Sequence, residues 1–284
     1  MAGIKGPRAR RPRPAVPRFR MRTYGGRAIT KVARTKENEM TLTVTLEKMR
    51  TMKLLHMAES LGRRLQKREQ EGLSHEDFLA LLVDDEYLGR QRSRLVRLHK
   101  KASFKMHASL EEIDYEPSRG LKKTLVLEFT KPSWISNHQN VILTGATGVG
   151  KTYLACAIGN EGCGMGYPVC YFRTPTLLQK MVEMRGTGTY TRFMEKLGRM
   201  KILILDDLGI SPLTQEQTED IMEIIEARDL CASTIVTTQL PKDKIYTAFA
   251  DPTLADAICD RLFRGVIHIV LKGESRRKAA PPKS

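Results

Sequence analysis

No stretch of this 284-residue chain approaches the ~20 consecutive apolar residues of a membrane-spanning helix, so no membrane partner is expected. The N-terminus is basic but lacks the apolar segment of a secretory signal, which points to the cytoplasm. Five cysteines (Cys156, Cys163, Cys170, Cys231, Cys259) form no C-x-x-C pair. Neither a metal nor a disulfide framework is expected, and the thiols read as small buried core groups. His75, His99 and His107 have no acid or cysteine at ligand spacing and read as surface histidines. Aromatics are scarce at 6%, and the single tryptophan, Trp134, belongs in the core rather than against a nucleotide base.

Acidic charge is also short. Lys and Arg number 48 against 32 Asp and Glu, a net +16 that implies a polyanionic partner, nucleic acid first. The excess is uneven. Residues 1–39 hold twelve Lys/Arg against Glu37 and Glu39, a net +10, which leaves +6 to residues 40–284. That Arg/Pro/Gly-rich tail has no hydrophobic period and is expected to be disordered. It reads either as a nucleic-acid arm or as a leader or upstream start, since Met40 opens the first patterned segment.

The rest is organised around Gly145-Ala146-Thr147-Gly148-Val149-Gly150-Lys151-Thr152, which fits the phosphate-binding pattern G-x-x-x-x-G-K-[ST]. A short apolar strand, residues 140–144, precedes it, and Tyr153 to Ile158 continues it as a helix. Glycines let successive N–H groups turn toward phosphate oxygens, and the helix N-terminus adds partial positive charge. Lys151 is placed to reach the β- and γ-phosphates, and Thr152 to ligate Mg²⁺.

Before this loop the pattern is helical. Leu46, Met49, Leu54, Met57, Leu61 and Leu65 form one stripe that ends by Gly72. Ser74-His75-Glu76-Asp77 then starts a second helix. Arg90, Arg94, Arg97, Lys101 and Lys105 follow at intervals of three or four, with no acid between Arg90 and Lys105 to pair them. They read as a phosphate-contacting face. Residues 113–120 read as a linker, and Leu121 to Phe129 as a short helix.

After the loop, strands and helices alternate, which implies a parallel sheet covered on both faces. The strand Lys201 to Asp207 is apolar and ends in two acids, 55 positions after Lys151. Asp206 reads as the Mg²⁺ carboxylate and Asp207 as the group that orients or deprotonates the attacking water. Gln239, at the end of the strand Ser233 to Gln239, reads as a γ-phosphate or water contact, or as a satisfied strand-end side chain. Arg261 is either a charge offered to a neighbouring subunit's phosphate or a local partner of Asp260 or Asp256. Arg276 and Arg277 are further phosphate-facing candidates.

Together with Ile113-Asp114-Tyr115, His138-Gln139-Asn140, Thr238-Gln239-Leu240-Pro241, the run Asp251 to Ile258 and the ending Leu271 to Ser275, these motifs resemble IstB, the AAA+ ATPase helper of IS21-type transposition, related to the helicase loader DnaC. The likeness runs from about Thr43 to Lys278. It implies an α/β fold, a P-loop AAA+ three-layer sandwich with a central parallel sheet, preceded by a small all-helical N-terminal module. The implied organisation is a basic tail (1–39), a helical DNA-binding and assembly module (40–112), a linker and lead-in helix (113–139), an ATPase domain (140–273) and a basic C-terminal tail (274–284). It further implies a bacterial, nucleoid-associated ATPase that binds ATP and Mg²⁺, self-assembles on duplex DNA and engages a cognate transposase. By position, Gln239 resembles the sensor-1 residue, Arg261 the arginine finger and Arg277 the C-terminal arginine, with Tyr153 beside the nucleotide. Thr187, Thr189 and Arg192 are expected on the DNA path. Asp207 departs from the Glu common in AAA+ proteins, and Gln239 from the Asn of helicase loaders; both bear on turnover rather than on nucleotide binding. A DnaC-like loader is the alternative reading, with a small-molecule P-loop kinase and a passive nucleoid protein behind it.

Overall fold

Why the expected first helix breaks is visible at Lys53. The computed structural model describes residues 40–67, 69 and 71–275; the tail 1–39 and the candidates Arg276 and Arg277 lie outside the described residues. Lys53 adopts φ 62°, and the Lys53 and Leu54 N–H groups donate to the Arg50 and Met49 carbonyls. That is a Schellman closure, which satisfies the last carbonyls of one helix and forces a new direction. The single stripe is therefore two helices, α1 (residues 40–51) and α2 (Leu55–Gln66). The Ser74 hydroxyl accepts from the Asp77 N–H and starts α3 (His75–Ala102). Two units result, one up to Leu88 and one from Gly89. Within the first, Arg64 pairs with Asp85 at 2.9 Å, and Glu86 Oε2 accepts from the Met57 N–H at 2.8 Å.

In the second unit five parallel strands, β1 (Val141–Gly145), β2 (Val169–Arg173), β3 (Ile202–Leu208), β4 (Ser233–Thr238) and β5 (Ile267–Leu271), form one sheet in the order β2-β3-β4-β1-β5. Their apolar residues alternate between two cores, as the period of two requires. Val141, Leu143, Ile202 and Ile204 pack with α4 (Lys123–Leu127), α5 (Ser133–Ser136), α6 (Lys151–Gly164) and the chain from Ala102 onward. Ile142, Leu203, Leu205 and Val236 face α7 (Thr174–Gly186), α8 (Tyr190–Gly198), α9 (Gln215–Glu226) and α10 (Pro252–Phe263). This is the three-layer sandwich. Trp134 is buried against Phe129, edge to face at 5.5 Å, in the core. Cys156, Cys163 and Cys170 are buried too, but Cys231 is exposed and Cys259 half-buried, so the expectation of five core thiols fails for those two. No described helix is long and apolar enough to cross a membrane.

Strand order does the positioning. β1 lies between β4 and β5, and β3 lies beside β4, so the carboxyl ends of β1, β3 and β4 are neighbours. Ligands of open parallel sheets bind at such an edge.

Candidate functional site

The loop between β1 and α6 is built by close approach. Gly145 has φ 148°, and a Cβ there would collide with the Leu271 carbonyl. At Gly148 a Cβ would run into the Ser275 hydroxyl. Side chains at either place would push β5 or the segment after it away from the loop. Lys151 is buried and its Nζ donates to the Gly145 and Ala146 carbonyls at 2.8 Å each, spanning the loop.

Asp206, at the end of β3, has no solvent exposure. Three hydroxyls donate to its carboxylate: Thr152 Oγ1 to Oδ1 at 2.8 Å, Thr237 Oγ1 to Oδ1 at 2.6 Å and Tyr171 OH to Oδ2 at 2.7 Å. Burial, and then the bond to Asp206, push the Tyr171 phenol well above its ordinary range, so it stays a donor. Asp207 adopts φ 62° where the β3–β4 register shifts between Leu205 and Leu208. Such irregularities re-aim a side chain, and aspartate tolerates the left-handed region better than most residues. The Asp207 N–H donates to Thr237 Oγ1 at 3.0 Å, so Thr237 ties both acids to β4. Asp207 Oδ2 in turn accepts from Arg173 Nε, at the end of β2, at 2.9 Å. Thr147 Oγ1 in the loop donates to Gln239 Oε1 at 2.8 Å.

Thr147, Lys151, Thr152, Asp207 and Gln239 border a cavity of about 400 Å³. Its apolar wall comes from Ile113, Leu121, Tyr153 and Leu271, and its polar contributors include Asp114 and Arg119. The segment that reads as a linker in the sequence thus lines the site. Arg119 is buried, donating to the Asp114 carbonyl at 2.6 Å and to the Val149 carbonyl at 3.0 Å. Nothing in its local pattern marks it; only the return of this segment to the loop does. Tyr153 OH donates to Glu112 Oε2 at 2.8 Å, which fixes its ring at the rim.

Thr152 and Asp206 offer adjacent oxygen donors, which suits Mg²⁺ completed by water and phosphate oxygens. Among the described residues no cluster of three His, Cys, Asp or Glu offers a competing site.

Arg261 is not in the cavity. Its carbonyl accepts from Asn140 Nδ2 at 3.1 Å, which places it at the amino end of β1, the end opposite the loop. The alternative reading, a local pair with Asp260 or Asp256, is not formed either. Asp260 pairs with Arg264 at 3.0 Å, while Arg261 lies 3.9 Å from Glu226 and donates to the Ala257 carbonyl. Of the basic series, Arg90, Arg94, Arg97 and Lys101 lie exposed on α3, and Arg94 donates to the Gly166 carbonyl at 3.3 Å. Lys105 does not extend that face, because α3 ends at Ala102 and Ser103 turns with φ 54°. Thr187 and Thr189 form the turn after α7, their hydroxyls 2.8 Å apart, and Arg192 is exposed on α8.

A family model described as IstB-like ATP binding protein matches residues 47–284. The chain belongs to that family. A Sinorhizobium fredii relative named as an insertion sequence ATP-binding protein is 38% identical over 240 residues, covering 84% of this chain and 98% of the relative. The protein named for ATP binding in the IS21 insertion sequence of Pseudomonas aeruginosa is 29% identical over 236 residues, covering 83% of this chain and 88% of its own length. Among solved structures, the DnaC helicase loader aligns with TM-score 0.52 at 23% identity, over 58% of this chain and 97% of the loader. Aquifex aeolicus DnaA with AMPPCP aligns with TM-score 0.52 at 22% identity, over 62% of this chain and 54% of DnaA. The IstB-like chain therefore shares the α/β P-loop fold of these solved proteins, and its relatives are named for ATP binding in insertion sequences.

Proposed function

We propose that this IstB-like protein hydrolyses ATP with Mg²⁺, assembles with copies of itself on duplex DNA, and assists a cognate transposase. The observation that carries the reading is the split placement of charge. Lys151, Thr152, Asp206, Asp207 and Gln239 converge on one edge of the sheet, while Arg261 stands at the opposite end. Arg261 thus does not reach its own chain's phosphate loop, and a neighbour stacked end to edge brings its Arg261 there.

In this reading the loop N–H groups and Lys151 hold the phosphates, and Tyr153, Ile113 and Leu121 border the base. Thr152 and Asp206 would hold Mg²⁺, which would supply positive charge beside the transferred phosphoryl group. Asp207 accepts the proton of the attacking water, and Gln239 orients that water. The neighbour's Arg261 stabilises the transition-state charge. In this reading residues 40–112 are the DNA-binding and assembly module and residues 140–273 the ATPase domain. The basic face of α3, with Arg192, Thr187 and Thr189, takes the DNA phosphates, and the tails 1–39 and 274–284, with Arg277, bring further positive charge.

The test is phosphate release by the full chain with Mg²⁺ and ATP, alone and with duplex or single-stranded DNA of equal length. Stimulation by duplex is expected, with Lys151→Ala losing both nucleotide binding and stimulation. A strict preference for single strands would favour a helicase loader, and absence of nucleotide binding by the wild type would sink the ATPase reading.

A further inference from the structure

Lys105 belongs to no feature that the proposed function uses, yet its Nζ lies 3.8 Å from Asp206 Oδ2. Its position is held from both sides. Ala102 is buried where α3 ends, and Ser103 turns the chain with φ 54°. Phe104 then packs on the bare face of Gly159, where a Cβ would come within 2.8 Å of the ring. On the other side Met106 lines the nucleotide cavity and Ala108 is buried. The backbone between them passes Cys156, one turn below Thr152 on α6, and burial pushes that thiol up to about 11, so it stays neutral beside the pair.

Oδ2 is the acceptor Lys105 shares, since Tyr171 and Thr152 also donate there. Thr237 donates to Oδ1, whereas Tyr171 donates to Oδ2 and Lys105 approaches that same atom. The three hydroxyls are neutral; Lys105 brings a full charge. Its side chain is 38% exposed while Asp206 is fully buried, so the ammonium reaches in from solvent and is able to withdraw toward it.

We propose that Lys105 is a positioning residue for the metal carboxylate: its ammonium shares Asp206 with Mg²⁺, and thereby weakens the hold of the Thr152–Asp206 pair on the metal. The inference rests on the Mg²⁺-nucleotide reading of the site. A carboxylate at the edge of a low-dielectric interior gains most from its first cation, and two cations on it repel. With Mg²⁺ held by Thr152 and Asp206, the Lys105 ammonium would either withdraw toward solvent or remain and oppose the metal's charge. Either way the metal requirement of nucleotide binding is set partly by a residue just beyond the end of α3, outside the phosphate loop.

The experiment is a Mg²⁺ titration of binding of a fluorescent, non-hydrolysable ATP analogue to the full chain, for wild type, Lys105→Met, Lys105→Gln and Lys105→Arg. Thermal melts confirm that each variant folds. Lys105→Met and Lys105→Gln are expected to lower the half-saturating Mg²⁺ by about three- to tenfold. Lys105→Arg, which keeps the charge, is expected to match wild type. Binding of the analogue in EDTA is expected to be the same for all four, since Lys105 acts on the carboxylate and not on phosphate. An unchanged or raised Mg²⁺ requirement in the neutral variants overturns the proposal. So does weaker EDTA-state binding, which would make Lys105 a phosphate ligand. A shift in Lys105→Arg equal to that in Lys105→Met overturns it as well, because shape rather than charge would then be at work. Wild-type binding indifferent to Mg²⁺ would remove the metal reading itself, and this inference with it.

Discussion

At the scale of single residues, the two acids that end β3 are adjacent in sequence but differ in every physical respect. Asp206 is fully buried and accepts from three hydroxyls, which suits a fixed metal ligand. Asp207 is turned out by its left-handed backbone, and its carboxylate is 20% exposed and bonded to Arg173. A proton acceptor has to reach water, and only Asp207 is placed to do so. Asp207→Asn is therefore expected to keep nucleotide binding and to cut phosphate release by about a hundredfold or more. Single-turnover hydrolysis alongside analogue binding checks this; equal losses in both would make Asp207 a binding residue. Neither acid's environment could be read from Leu205-Asp206-Asp207-Leu208. The doublet suggested two different roles, but the burial of one acid and the outward turn of the other depend on the register shift against β4 and on Thr237, which is 30 positions from Asp207.

At the scale of elements, the sheet's carboxyl edge carries the site and its amino edge is held by a buried arginine. Arg228, after α9, is 1% exposed and, among the described residues, has no carboxylate partner. It donates instead to the Leu197, Met200 and Ser233 carbonyls at 2.7 Å each and to Thr234 Oγ1 at 3.1 Å. Burial lowers its pKa to about 10, so the guanidinium is still charged at neutral pH. Those bonds join the end of α8 to the start of β4. Arg228→Met strands several buried acceptors, at about 1–3 kcal/mol for each that stays unsatisfied. A loss of about 3 kcal/mol or more is expected, which lowers Tm by roughly 6–12 °C for a unit of this size. A calorimetric or circular-dichroism melt reads the outcome, and a shift under about 2 °C would mean that water replaces the guanidinium. The turn after α7 is likewise anchored. Arg185 stacks on Tyr190 at 4.4 Å and pairs with the buried Asp220, so Thr187 and Thr189 are presented by a braced corner.

At the scale of the whole molecule, the placement of Arg261 makes the strongest demand. It is tied to the amino end of β1 through Asn140, far from its own phosphate loop along the strand direction. If it acts on a neighbour, Arg261→Ala and Lys151→Ala should complement each other. Each variant alone is expected to hydrolyse ATP at under about a tenth of the wild-type rate. Mixed in equal amounts, they form some interfaces with an intact Lys151 on one side and an intact Arg261 on the other, and activity should return in part. No recovery on mixing, with assembly on DNA confirmed by sedimentation, would return Arg261 to a local structural role beside Glu226.

The sequence by itself determined the α/β class, the P-loop, the acid doublet and the family, because these rest on contiguous residues whose chemistry and spacing are complete within one turn or strand. It also separated the helical pattern before residue 113 from the alternating pattern after 140. It did not reveal the break at Lys53, since a left-handed closure at a lysine has no compositional mark. Nor did it show that Ile113, Asp114 and Arg119 return to line the nucleotide cavity, or that Lys105 leaves the basic face of α3 and meets Asp206. Those are contacts between segments tens of residues apart. Their partners are chosen by strand order and by packing on α6, and three-dimensional closure alone brings them together.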